Sequence, residues 1–201
     1  ITLNAKAIRS IPLQANFSAF GIQKVELRGE VLIRKDLFEQ VNSSRSKKGE
    51  ALFANPRNAA TGGLRLKDPK QVQERALDAF IYQMGYAVDD LGNDVLMKFK
   101  NHNAQIELLA QVGFKVPTLG QERALCANIE AVAAHCQKWQ ETRDDYPFEI
   151  DGMVVKVNDL ELQDLCGYTS HHPRWAIAFK FKAKQATTKL LSVDYQVGRT
   201  G

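Results

Sequence analysis

The sequence has 201 residues, 44% hydrophobic and 25% charged, which suits one large or two small soluble domains with a true core. A formal net charge of +4 is mildly basic, compatible with a phosphate-rich partner without demanding one. With no apolar run of membrane-spanning length and no signal peptide, a cytoplasmic protein is expected. Cys126, Cys136 and Cys166 form no Cys-x-x-Cys pair and read as thiols of a reducing compartment.

The first clear element is "VELRGEVLI" (25–33), a strand by alternation, with Val25, Leu27, Gly29, Val31 and Ile33 on one face and Glu26, Arg28 and Glu30 on the other. "DLFEQVNSSR" sets Asp36 and Glu39 at capping-box spacing and predicts a short helix. "FANPRNAATGGLR" (53–65) reads as a loop. It holds Arg57 and Arg65 eight positions apart on a scaffold of small residues, either to meet a phosphate or as a solvated turn. A strand over 77–86 follows. The spacing then predicts a helix over 97–114, with Phe99, Ile106, Leu109 and Ala110 inward and Gly113 as its stop. A second helix is expected over 122–142, with Ile129, Val132, Ala133, Cys136 and Trp139 on its apolar side. Strands at 148–157 and 174–183 and a strand-like tail close the chain. Strands and helices do not alternate regularly, so the class is α+β with mostly antiparallel sheets and flanking helices.

Charges on the strands carry the functional signal. In 174–183, Trp175, Ile177, Phe179 and Phe181 form a bulky face read as core, opposite Ala176, Ala178, Lys180 and Lys182. The two alanines leave a groove for a flat ligand with an ammonium at its end; the alternative is a solvated sheet face. In "FEIDGMVVKV", Lys156 shares a face with Gly152 and Val154, with Asp151 opposite, and a bulge at Gly152 would re-aim one of them. Charges in an apolar strand are costly unless paired or bound. No phosphate-loop, dinucleotide or hydrolase-elbow motif occurs, and His171 and His172 lack further metal ligands.

Five stretches, "VELRGEV", "LFANPRNAATGGLR", "RDDYPFEIDGMVVKV", "PRWAIAFKF" and "QVGRTG", resemble in order and spacing the bacterial NAD⁺-dependent DNA ligases. The resemblance runs from "ITLNAKAIRSIP" to Gly201 and implies the adenylation domain, an ATP-grasp-like nucleotidyltransferase fold. It implies a partial domain over 1–187 and, over 188–201, a strand leading to an oligonucleotide-binding barrel that this sequence lacks. The implied reaction seals nicks in duplex DNA, during replication and repair, through an enzyme–AMP and a DNA–adenylate intermediate. NAD⁺ and magnesium are the implied cofactors, zinc belongs to a domain not in this sequence, and the implied enzyme is a cytoplasmic, nucleoid-associated monomer.

Residue by residue, the resemblance makes Glu30 the glutamate at the AMP ribose and metal waters. Lys156 and Lys180 become its phosphate-facing lysines, Asp151 the acid of "EIDG", and Arg143 the arginine opening that motif. Arg57 and Arg65 match arginines that meet the nick's phosphates, with small neighbours letting the DNA backbone approach. Magnesium would be served by Glu30 and Asp151. The family nucleophile lies in Lys-x-Asp-Gly, which does not occur here, so this chain is expected to be a fragment that does not adenylylate itself. Two alternatives stand beside this: an ATP-dependent ligase or capping-type nucleotidyltransferase, and a non-catalytic nucleic-acid-binding module.

Overall fold

The computed structural model describes residues 1–183 and 185–199; Lys184, Thr200 and Gly201, the last two part of the expected closing strand, lie outside them. The elements run α1 (Thr2–Lys6), β1 (Lys24–Leu32), α2 (Lys35–Lys47), α3 (Pro56–Leu64), α4 (Pro69–Glu74), β2 (Asp78–Val88), α5 (His102–Gln111), α6 (Ile129–Thr142), β3 (Gly152–Lys156), α7 (Leu160–Cys166) and β4 (Ala176–Lys180). β1 pairs antiparallel with β2, and β3 antiparallel with β4, giving two small sheets. The expectation of α+β with antiparallel sheets is met at that level.

β2 is the spine, because its side chains feed two cores. Ile81, Met84 and Ala87 pack with Ile22, Val95, Ile106, Leu108 and Leu109 under α5. Ala79 packs with Ile8, Ile33, Ala59, Ala60, Val72 and Leu77 under α3 and α4. The β1–β2 register slips between Glu26 and Leu27 and again between Arg28 and Gly29, so Gly85 and Tyr82 of β2 are left without a paired residue. The expected alternation of β1 survives, with Val25, Leu27 and Val31 half-buried and Glu26, Arg28 and Glu30 exposed.

Several expectations are corrected. The α2 capping box does not form: no side chain caps the helix, and Asp36 instead accepts hydrogen bonds from Arg34 at 3.0 and 3.2 Å. α5 begins only at His102, because Asn101 caps it by accepting from Ala104 N at 2.9 Å. Its buried side is Gln105, Ile106, Leu108 and Leu109, and Ala110 is exposed. Gly113 just beyond the helix has φ 96°, the left-handed stop that was expected. The helix predicted from 122 starts at Ile129 after the cap Asn128, and within it only Cys136 is buried.

β4 does not bury its whole bulky face: Trp175 and Phe181 are buried, whereas Ile177 is 69% and Phe179 38% exposed. In a sheet of two strands, no further layer covers the middle of that face. Gly152 makes no bulge, since β3 and β4 pair in unbroken register from Gly152↔Lys180 to Lys156↔Ala176. Residues 185–199 form no strand, and Leu190, Leu191, Val193, Tyr195 and Val197 are exposed. An alternating segment becomes a strand only where it finds an edge to pair with.

A charged cleft beneath the arginine helix

The stretch 53–65 is not a loop. Asn55, extended at φ −156° and ψ 162°, accepts from Asn58 N at 2.8 Å, and Pro56 takes the first helical position, where its missing N–H costs nothing. α3 then buries Ala59, Ala60 and Gly63. A Cβ on Gly63 would lie 2.9 Å from Leu77 Cδ1 and 3.1 Å from Arg75 Cδ. The small residues therefore let the helix sit close on the protein, rather than serving first to admit a ligand. Arg57, Asn58, Thr61, Gly62 and Arg65 remain exposed along one stripe. Eight residues of helix separate the two arginines, about 12 Å at 1.5 Å per residue.

Arg57 reaches across to the segment preceding β3. Its Nη1 is 3.8 Å from Asp151 Oδ2, and Lys180 Nζ donates to the same oxygen at 2.8 Å. The hydrogen bond from Lys180 is the main reason the Asp151 carboxyl is held below the usual carboxylate range. Asp151 was expected opposite the lysine face. It lies just ahead of β3, where its carbonyl accepts from Phe181 N at 2.9 Å, and its side chain turns to Lys180. Gly152 makes this approach possible, since a Cβ there would stand 2.4 Å from Phe179 O and 3.2 Å from Lys180 Cδ.

Glu30, Arg57, Arg143, Asp151 and Lys180 line one cavity of about 1010 Å³. Arg143, the C-cap of α6, is fixed there by donating from Nη2 to Lys182 O at 3.0 Å and by lying over the Phe181 ring. Four cationic and five acidic side chains line the cavity, so its pull on an anion is local rather than a net field.

Two expected residues stand apart. Arg65 lies at the far end of α3 and does not line the cavity. Lys156 shares a face of the β3–β4 sheet with Lys180, because Lys156↔Ala176, Val154↔Ala178 and Gly152↔Lys180 are direct pairs. The two lysines thus occupy opposite ends of a groove floored by Val154, Ala176 and Ala178, roughly 13 Å apart for four residues of strand.

Around Lys156 the structure assembles residues that the charge pattern did not indicate. Its Nζ lies 5.1 Å from the Tyr82 ring centroid and 3.4 Å from Gln83 Oε1. Tyr82 is the residue skipped at the second register slip of β2, and such a slip re-aims a side chain. The only legible hint was that "IYQMGY" interrupts an apolar run with a Gln and a Gly. Burial, with Arg28 nearby, lowers the Lys156 pKa to about 8. Burial, with Lys156 nearby, lowers that of His102 to about 4.

Both groups resist protonation in the folded state, which fixes the sign of their pH effect. The unfolded chain binds the extra proton between about 4 and 6.5 for His102 and between about 8 and 10.5 for Lys156. Stability should therefore rise with pH through each window. In urea melts from pH 4 to 10 each rise should appear as the difference between the parent and His102→Gln or Lys156→Met, because Asp36, Asp89 and Asp151, held low, and Cys136, held high, add slopes of their own. A flat difference between pH 4 and 6.5 for His102→Gln would contradict the burial of His102.

Together these features describe a mixed α+β domain with a charged cleft between an arginine-bearing helix and a sheet end. The model of the NAD-dependent DNA ligase adenylation domain matches residues 1–184. The chain belongs to that family. Proteins named DNA ligase from Sulfurihydrogenibium sp. (strain YO3AOP1), Aquifex aeolicus (strain VF5) and Cytophaga hutchinsonii are 57%, 50% and 43% identical to it over 201 residues. Each similarity covers 100% of this chain but only 28%, 27% and 28% of those proteins, so the chain spans little more than a quarter of its relatives' length. Among the described residues no helix is long and apolar enough to cross a membrane.

Proposed function

We propose that this chain is the nucleotidyltransferase part of an NAD⁺-dependent DNA ligase that seals 5′-phosphate/3′-hydroxyl nicks. The observation that carries this reading is the convergence of Arg57 and Lys180 on Asp151, in the cavity that Glu30 and Arg143 also line. Asp151 neutralises Lys180 in this structure. A phosphate entering the cleft would take over that ammonium, which then stands where negative charge grows at phosphorus. Lys156 supplies a second ammonium at the far end of the groove, and Glu30 an acceptor for ribose hydroxyls. The division into a nucleotidyltransferase unit over 1–187 and a connecting segment over 188–201 belongs to the same proposal.

In the proposed reaction a lysine amine attacks the adenylyl phosphorus of NAD⁺ and nicotinamide mononucleotide leaves. AMP then passes to the 5′-phosphate of the nick, and the 3′-hydroxyl displaces it. The attacking amine is not Lys156 or Lys180, and no Lys-x-Asp-Gly is present in this sequence. Magnesium would enter with the nucleotide, held by its phosphates and by one or two carboxylates such as Glu30. Among the described residues no group of three or more His, Cys, Asp or Glu is placed to hold a metal, and Asp151 is engaged by Lys180.

The chain should accordingly bind AMP without becoming covalently labelled. AMP titration should shift the side-chain resonances of Lys180 and Arg57, and shifts confined to other regions would remove the proposed site. After incubation with NAD⁺ and magnesium, the intact mass should be unchanged. A stable gain of one AMP on Lys156 or Lys180 would overturn the division of roles.

A further inference from the structure

The end of α3 that carries Arg65 is held from outside its own helix. Asn4 of α1 is only 4% exposed, and its Nδ2 donates to Leu64 O at 2.9 Å and to Leu66 O at 2.6 Å. Those two carbonyls belong to the residues on either side of Arg65. The last carbonyls of a helix lack partners within it, and here no left-handed glycine closes the end: Arg65 itself is the C-cap, at φ −94° and ψ 1°. A buried amide some sixty residues away in sequence does that work instead. With both of its N–H groups spent in this way, Asn4 holds the peptide planes 64–65 and 66–67, while Leu66 N, donating to Gly63 O at 3.2 Å, holds the plane between them, and together these set the direction of the Arg65 Cα–Cβ bond. Beyond this hold on its backbone nothing orients Arg65, since among the described residues its guanidinium makes no hydrogen bond or ion pair. The first half of α3 has separate anchors, the Asn55 cap and Arg75 Nη1 donating to Ala59 O at 2.8 Å.

We propose that Asn4 is a positioning residue that sets the angle at which Arg65 is presented to a backbone phosphate of nicked duplex DNA. This rests on the reading of Arg65 as a phosphate contact. A residue that merely stabilised α3 would affect Arg57 and Arg65 alike, whereas one that aims Arg65 acts through Arg65 alone.

The test is a double-mutant cycle on the 201-residue chain, with a nicked 5′-phosphorylated duplex titrated at several salt concentrations. Asn4→Ala should weaken binding by at least about threefold and by no more than Arg65→Ala does, and it should lower the salt slope by up to about one. Added to Arg65→Ala, it should cost nothing further; added to Arg57→Ala, its loss should appear in full. Binding equal to the parent, or losses that add with Arg65→Ala to within about twofold, would reduce Asn4 to a structural residue. If Arg65→Ala alone binds normally, the phosphate reading of Arg65 fails first and this inference with it. Circular dichroism checks folding, and Asn4→Ser, which keeps one donor, replaces Asn4→Ala in the same cycle if the alanine variant unfolds.

Discussion

Lys180→Ala, in a full-length ligase carrying this domain, should slow transfer of AMP from NAD⁺ to the enzyme by roughly 10²–10³-fold, the usual cost of removing one preorganised donor to a developing negative charge. Lys180 stands at the end of a groove with an alanine floor, over a glycine that leaves room for its stem, and it is held by Asp151 at 2.8 Å. Stability should hardly change. The Lys180 and Asp151 side chains are 64% and 69% exposed, and ion pairs this open contribute between nothing and about 1 kcal/mol. Single-turnover labelling and a thermal melt on the same variant separate the two effects. Labelling within about threefold of the parent would make Lys180 one half of a surface ion pair and nothing more.

Arg65→Ala should spare that first step, which involves no DNA, and slow sealing of a nicked duplex by pre-adenylylated enzyme by roughly 10- to 150-fold. The range follows from about 1.5–3 kcal/mol for one charge-assisted hydrogen bond. The structure sharpens the contrast: Arg65 lies outside the cavity where Lys180 and Asp151 meet, whereas Arg57 lines it. Arg57→Ala should therefore affect both steps, and Arg65→Ala only the second. Arg65→Lys should restore part of the sealing rate, since an ammonium supplies charge without the planar fork. Equal losses in both steps for Arg65→Ala would mean that the residue holds α3 in place instead of meeting DNA.

α3 shows what a different reading of the same residues would have found. Asn55-Pro56 is a helix start, as are Asn101 and Asn128, and each of these asparagines accepts a hydrogen bond from the backbone three residues on. Glycines and a proline outweighed those caps in the expectation of a loop. Yet Pro56 sits where a helix tolerates it, and Gly63 is buried where Arg75 and Leu77 pass too close for a side chain. The caps were local information and were legible. The neighbours that call for Gly63 are twelve and fourteen residues away and were not.

Alternation and residue chemistry, which are local, determined the strands around Glu30, Lys156 and Lys180, the face each lysine takes on its own strand and the α+β class. Tertiary structure alone decided which charges meet. The β3–β4 register puts Lys180 opposite Gly152, a turn before β3 brings Asp151 to Lys180, and the seating of α3 carries Arg57 to the same carboxylate. It also decided that Ile177 and Phe179 remain exposed, although they share the bulky face of Trp175 and Phe181. The reason is physical: a strand's pattern states which side chains point together, but which of them are covered, paired or aimed depends on elements far away in the sequence.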